Sequence, residues 1–178
     1  MKRLVTIAAS MLLATTVVAQ SMAPAIPRDK KLEAKVERTL RKLTLEEKVG
    51  QMCELTIDVI TDNRHRDSVV LNEEAVAKVI DRYKVGSILN VPHGLAQTPE
   101  SWAQLIRTLS HRSMESCGVT QIYGVDQIHG ASYTWGATLY PQEVGQAASF
   151  NRAIPHRVNE VSAYESRACL IPWVYSPV

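Results

Sequence analysis

The chain has 178 residues, 46% of them hydrophobic, with 20 lysines and arginines against 18 aspartates and glutamates. Residues 1–19 hold Lys2 and Arg3 and no acidic residue, so without them the two signs balance at 18 each, and electrostatics gives no reason to expect nucleic acid or an anionic membrane as a partner. Cysteines at 53, 117 and 169 allow at most one disulfide and match no zinc spacing, which excludes a disulfide-stapled domain and leaves each as a small packed residue.

In chain order, the first predicted element is a targeting segment. Lys2 and Arg3 form a charged start, Leu4 to Val18 an apolar stretch, and Val17-Val18-Ala19 a small-residue cleavage site, so residues 1–19 read as a secretory signal peptide. Its apolar run falls short of the roughly 20 residues that span a bilayer. The expected location is therefore periplasmic or secreted, with no membrane span after signal cleavage. Residues 20–28, with Pro24 and Pro27, read as an extended leader, and 29–178 as the folded domain.

From Asp29, the apolar residues Leu32, Val36, Leu40 and Leu43 recur at helical intervals and predict an amphipathic helix. Thr44-Leu-Glu-Glu47 is a capping box that starts a second helix, expected to turn Leu45, Val49, Met52 and Cys53 inward. Glu54 to Ile60 has the alternation and β-branching of a strand. A polar loop over 61–67 follows, then a helix capped by Asn72 and built on Ala75, Val76, Val79 and Ile80, then a buried strand over Val85–Asn90. Thr98-Pro-Glu-Ser opens a further helix with the stripe Trp102, Leu105, Ile106 and Leu109, closed by Gly118. A strand over 120–125, a loop rich in glycine and aromatics, a helix to Ala168 and an extended Leu170–Val178 complete the order.

Strands alternating with helices imply βαβ units and a parallel sheet, and right-handed crossovers curve successive strands around one axis. The expected fold class is α/β, the incomplete N-terminal part of a (β/α)8 TIM-type barrel, since a closed barrel takes about 250 residues.

The chemistry concentrates at Asp126, which follows Ile122-Tyr-Gly-Val125 and so sits where parallel α/β folds meet their ligands. A carboxylate there accepts two hydrogen bonds from neighbouring hydroxyls of a sugar, or it caps the backbone N–H groups of the Gln127 to Gly130 turn. His129 reads as an orienting or packing residue, or with Asp126 as part of a metal site that lacks a third ligand. Trp135 fits either a pocket lining or ordinary packing, alongside Tyr133 and Tyr140. Glu143 reads as a helix-terminal charge or as a second carboxylate, and His156 with Glu160 as a solvent-side pair. No nucleophile elbow, phosphate loop or dinucleotide fingerprint occurs.

Five ordered blocks carry a family resemblance: Leu43-Thr-Leu-Glu-Glu-Lys-Val-Gly-Gln-Met52, Val85-Gly-Ser-Ile-Leu-Asn90, Ile122-Tyr-Gly-Val-Asp-Gln-Ile-His-Gly130, Ala137-Thr-Leu-Tyr-Pro-Gln142 and Tyr175-Ser-Pro-Val178. Together they resemble the N-terminal part of a glycoside hydrolase family 3 β-glucosidase. The resemblance implies a retaining hydrolase of terminal β-linked glucose or a related sugar, acting through a covalent glycosyl-enzyme intermediate without cofactor. It makes Asp126 a ligand for hydroxyls of the bound sugar, with His129 and Trp135 as neighbours, and puts no catalytic residue in this chain. The family's nucleophilic aspartate and acid/base glutamate come later than residue 178, so these residues alone are expected to be inactive. The competing expectation is a non-catalytic carbohydrate-binding or interaction protein on the same fold.

Overall fold

The structure is a computed structural model that describes residues 27–62, 64 and 68–176. The expected signal peptide and most of the leader lie outside the described residues. The chain divides into two units, one ending at Arg38 and one beginning at Thr39.

Helix α1, Lys30–Lys42, begins where the Asp29 carboxylate accepts the N–H groups of Lys31 and Leu32 at 2.8 and 3.3 Å. Its Leu32, Val36 and Leu40 are exposed, and the helix buries no residue. Thr44 then forms the expected capping box for α2, Leu45–Gln51, its hydroxyl accepting from the Glu47 N–H while the Glu47 carboxylate reaches back to the Thr44 N–H.

The inward face expected of α2 is corrected. Leu45 is 73% exposed, Val49, Met52 and Cys53 are exposed as well, and the helix packs instead through Gly50, where a Cβ would strike the Tyr83 carbonyl. Backbone meets backbone, so the apolar side chains are not the contact surface. The strand expected over 54–60 is also shorter. Strand β1 is Glu54–Thr56, and Ile57–Val59 turn as a 3-10 helix that buries Ile57 and Ile60 completely.

Asn72 accepts the Ala75 N–H at 3.0 Å and starts α3, Glu73–Val76, which continues as a wider π-helical run, Ala77–Arg82. Strand β2 is Ser87–Leu89. Helix α4, Pro99–Cys117, is capped by Thr98, ends at Gly118 with φ 74°, and buries Trp102, Leu105, Ile106 and Leu109 as its spacing predicts. Strand β3 is Ile122–Asp126. A short helix, α5, Glu143–Ala147, begins at the residue read as a possible helix-terminal charge and precedes α6, Ala153–Ala168, and β4, Trp173–Tyr175.

The four strands lie in chain order, each pairing in parallel with the next, so the alternation of helix and parallel strand stands as expected. Side chains alternate between the two faces of the sheet. Ile88, Tyr123 and Val125 enter the core shared with the helices, where Trp102 meets Tyr123 edge-on with centroids 5.5 Å apart. The opposite face carries Glu54, Thr56, Ser87, Leu89, Ile122, Gly124, Asp126, Trp173 and Tyr175 by the same alternation.

That second face is concave. In a flat sheet β1 and β4 would stand about 14 Å apart, yet the Tyr175 hydroxyl donates to the Glu54 carboxylate across the intervening strands. Only curvature toward this face brings the two side chains together. Ile122 and Trp173 on it remain 47% and 43% exposed.

Outside the core, Arg112 of α4 grips Asp81 of the π-helical run through Nε and Nη2 at 2.7–3.1 Å and touches Glu73 at 3.2 Å. Hydrogen bonding to this guanidinium holds the Asp81 carboxyl below the usual carboxylate range. A folded-state pKa below the unfolded value of about 3.9 means that the stabilisation is present above that value. It is lost as pH falls through the depressed folded pKa. The gap in urea midpoint between the native chain and Arg112→Met should therefore narrow from about pH 6 to about pH 3. An unchanged gap would show that Asp81 titrates alike in the folded and unfolded chain.

Candidate functional site

The carboxyl ends of the strands gather the polar groups of the concave side. Past β1 stands Asp58, whose Oδ1 accepts the His93 N–H at 3.3 Å and so ties the loop after β2 to the turn after β1. Asn90, just past β2, takes φ 79°, donates its N–H to the Gly124 carbonyl at 3.0 Å and accepts the Tyr123 hydroxyl at 2.8 Å. Burial drives the Tyr123 phenol well above its ordinary pKa, with the Asp58 charge adding to the effect, so it acts as a fixed donor. Sequence reasoning missed Asp58 because it was expected inside a strand. Its place one residue after Ile57, at i+1 of an Ile57/Ile60 spacing typical of a turn of helix, was the available signal.

Asp126 closes β3 and is exposed. Among the described residues its carboxylate takes no hydrogen bond from protein, so the local capping of the Gln127 to Gly130 turn, one of its two sequence readings, is not formed. Gln127 instead turns to the helix side, where it accepts from Ser166 at 2.5 Å. The chain then reverses through Gly130 at φ 77°, a position where a Cβ would press on the Tyr140 ring and the Thr138 carbonyl.

His129 lies 2.9 Å from the Tyr140 carbonyl through Nδ1. A carbonyl only accepts, so Nδ1 is the donor in this contact. The contact ties the turn after β3 to the loop that follows. Trp135 is 70% exposed, with its backbone N–H on the Gln97 carbonyl at 2.9 Å. Glu143 opens α5 and accepts the Ser176 hydroxyl, which draws the loop after β3 toward the end of β4. His156 and Glu160 form the expected exposed pair at 3.6 Å. Of the cysteines, Cys169 is buried and Cys117 partly so, while Cys53 is exposed against expectation. Among the described residues no three His, Cys, Asp or Glu side chains converge on a metal position, and no helix is long and apolar enough to cross a membrane.

A parallel α/β sheet curved toward one face, its strands alternating with helices in chain order, is the architecture of a β/α-barrel-type domain. The particular family follows from comparison. Residues 44–178 match the glycosyl hydrolase family 3 N terminal domain, and the chain belongs to that family.

A lysosomal beta glucosidase of Dictyostelium discoideum is 33% identical over 152 residues, covering 80% of this chain and 18% of its own. The crystal structure of an exo-1,3/1,4-beta-glucanase from a Pseudoalteromonas species aligns with a TM-score of 0.68 at 28% identity, over 86% of this chain and 18% of that one. A family 3 beta-N-acetylglucosaminidase from a Paenibacillus species, at 22% identity and a TM-score of 0.61, covers 76% of this chain and 24% of its own and shares the fold. The chain thus spans about a fifth of the length of these relatives.

Proposed function

We propose that this chain forms the sugar-holding wall of a retaining glycosidase that removes terminal, non-reducing β-D-glucosyl or related residues. The observation that carries this reading is the Asp126 carboxylate, exposed at the end of β3 with its acceptor positions unshared among the described residues. Two adjacent sugar hydroxyls can donate to its two oxygens, and hydrogen bonds to a charged group are worth about 1.5–3 kcal/mol. His129, fixed by the Tyr140 carbonyl, holds the turn beside it. The β-glucosidase and β-glucanase relatives support glucose over the acetylated sugar, because identity falls to 22% at the acetylglucosaminidase.

The retaining mechanism requires a nucleophile and a proton donor about 5–5.5 Å apart. By family resemblance both come from sequence beyond these residues, so the 178-residue chain binds sugar and does not cleave it. The same reading takes residues 1–19 as an export signal that delivers the protein to a periplasm or outside the cell.

Isothermal titration and thermal shift with glucose and glucono-δ-lactone test the assignment on the native chain and Asp126→Ala. The substitution should weaken binding by about tenfold or more, the equivalent of 1.4 kcal/mol or above. Equal affinity of the two proteins would remove Asp126 from the site. Hydrolysis of an aryl β-glucoside by the same purified chain would overturn the assignment of cleavage to other residues.

A further inference from the structure

We infer that Tyr175 is a positioning residue, the floor beneath the Asp126 carboxylate, and that Glu54 holds it in place from the opposite side of the concave face. The inference rests on the reading of Asp126 as a sugar contact. Strand register sets Asp126 and Tyr175 side by side on β3 and β4, with both side chains on the inner face. A tyrosine in that position has two side-chain torsions with which to point up toward the ligand or down into the sheet.

Three contacts choose the downward course. The phenol hydroxyl donates to the Glu54 carboxylate at the start of β1. Gly124 lies beneath the ring, and any Cβ there would collide with the phenol oxygen and the adjoining ring carbons, so the ring rests directly on the β3 backbone two residues below Asp126. Trp173, also on the inner face of β4, packs its ring at 4.8 Å with a 45° tilt. Together these fix a flat aromatic surface one layer beneath the carboxylate.

The consequence is pre-organisation. A ligand on Asp126 meets a rigid floor instead of a mobile side chain or open water, and a floor ordered beforehand removes an ordering cost from binding. Glu54 is 121 residues away from Tyr175 in sequence and lies at the opposite end of the sheet's inner face from Asp126, at the start of β1, so it acts through the ring. Burial and the Glu54 bond also push the phenol well above its ordinary pKa, which keeps it a neutral donor at every physiological pH.

The test measures glucono-δ-lactone affinity in the intact chain for Glu54→Leu, Glu54→Gln, Tyr175→Phe and Asp126→Ala, with melting temperature recorded for each. Glu54→Leu should bind about tenfold more weakly, because the phenol loses its acceptor and the ring its anchor. Glu54→Gln keeps an acceptor oxygen and should bind within about twofold of the native chain. Tyr175→Phe keeps the ring against Gly124 and Trp173 and provides a folded reference if Glu54→Leu unfolds; it should fall between the two. Native affinity in both Glu54→Leu and Tyr175→Phe, alongside lost binding in Asp126→Ala, would refute the floor and leave the Asp126 reading intact. Native affinity in Asp126→Ala, or no binding by the native chain, would remove that reading and this inference with it.

Discussion

Trp102→Ala is expected to lower the stability of the domain from Thr39 onward by about 3–5 kcal/mol, the range for emptying a large aromatic site in a packed core. Three properties put this residue at the upper end. It is fully buried between α4 and the sheet, it meets Tyr123 edge-on, and its indole N–H donates to the Tyr133 carbonyl at 3.1 Å. Truncation therefore leaves a cavity and also removes one of the two hydrogen bonds on the Tyr133 carbonyl, which keeps the Gln97 N–H at 3.0 Å. For a domain of this size each kcal/mol moves the melting temperature by about 2–4 °C, so the loss should exceed about 6 °C. Trp102→Phe refills most of the volume without the N–H and should recover more than half of the loss. A melting temperature within about 2 °C of native for Trp102→Ala would mean that the contact with Tyr123 is not part of the core.

The same residue illustrates why much of the fold was legible in the sequence. A helix of 19 residues buries one side only, and Trp102, Leu105, Ile106 and Leu109 mark that side at unmistakable spacing. Thr44 with Glu47, Asn72 and Thr98 announced three helix starts because capping is a local matter between near neighbours. The place of Asp126 at a strand's carboxyl end was legible for a comparable reason, since the end of a strand in a parallel sheet is defined by chain order.

What escaped depended on contacts that no local pattern encodes. The apolar residues of α2 follow a helical period, but seven residues make two turns, and the packed surface of those turns is the Gly50 backbone. Ile57 and Ile60 look like strand residues by type, yet burying both at a spacing of three requires a turn of helix, which cut β1 short. Trp135 stands among aromatics in sequence, but the loop is held by its backbone and leaves the ring outside. The bond from Tyr175 to Glu54 exists only because the sheet curves, and curvature is a property of four strands together.

Gly50→Ala is the substitution for which local and tertiary physics predict opposite signs. In an exposed helix interior, alanine in place of glycine stabilises by about 0.8–1 kcal/mol, because it restricts the unfolded chain and favours helical torsions. Gly50 sits in α2 with its Cα against the loop before β2, where a new methyl group would drive into the Tyr83 carbonyl oxygen and approach the Lys84 carbonyl to 3.0 Å. Both obstacles are backbone, and neither can rotate away as a side chain would. Gly86 repeats the arrangement from the other side, its Cα facing the Gln51 backbone, while the Gly86 N–H donates to the Gly50 carbonyl at 3.0 Å. The two glycines thus let α2 and the approach to β2 touch main chain to main chain, and Gln51 adds a hydrogen bond to the Lys84 carbonyl at 2.7 Å. Separating them loosens the register of β1 against β2, the edge that carries Glu54 and Asp58. Overpacking of this kind costs about 1–3 kcal/mol and sometimes more, which exceeds the propensity gain. Gly50→Ala should therefore lower the urea midpoint, and Gly50→Ala combined with Gly86→Ala should lose less than the sum of the two, since one separation relieves both collisions. A raised midpoint in Gly50→Ala would show that helix propensity outweighs the contact, and that α2 does not press on the sheet.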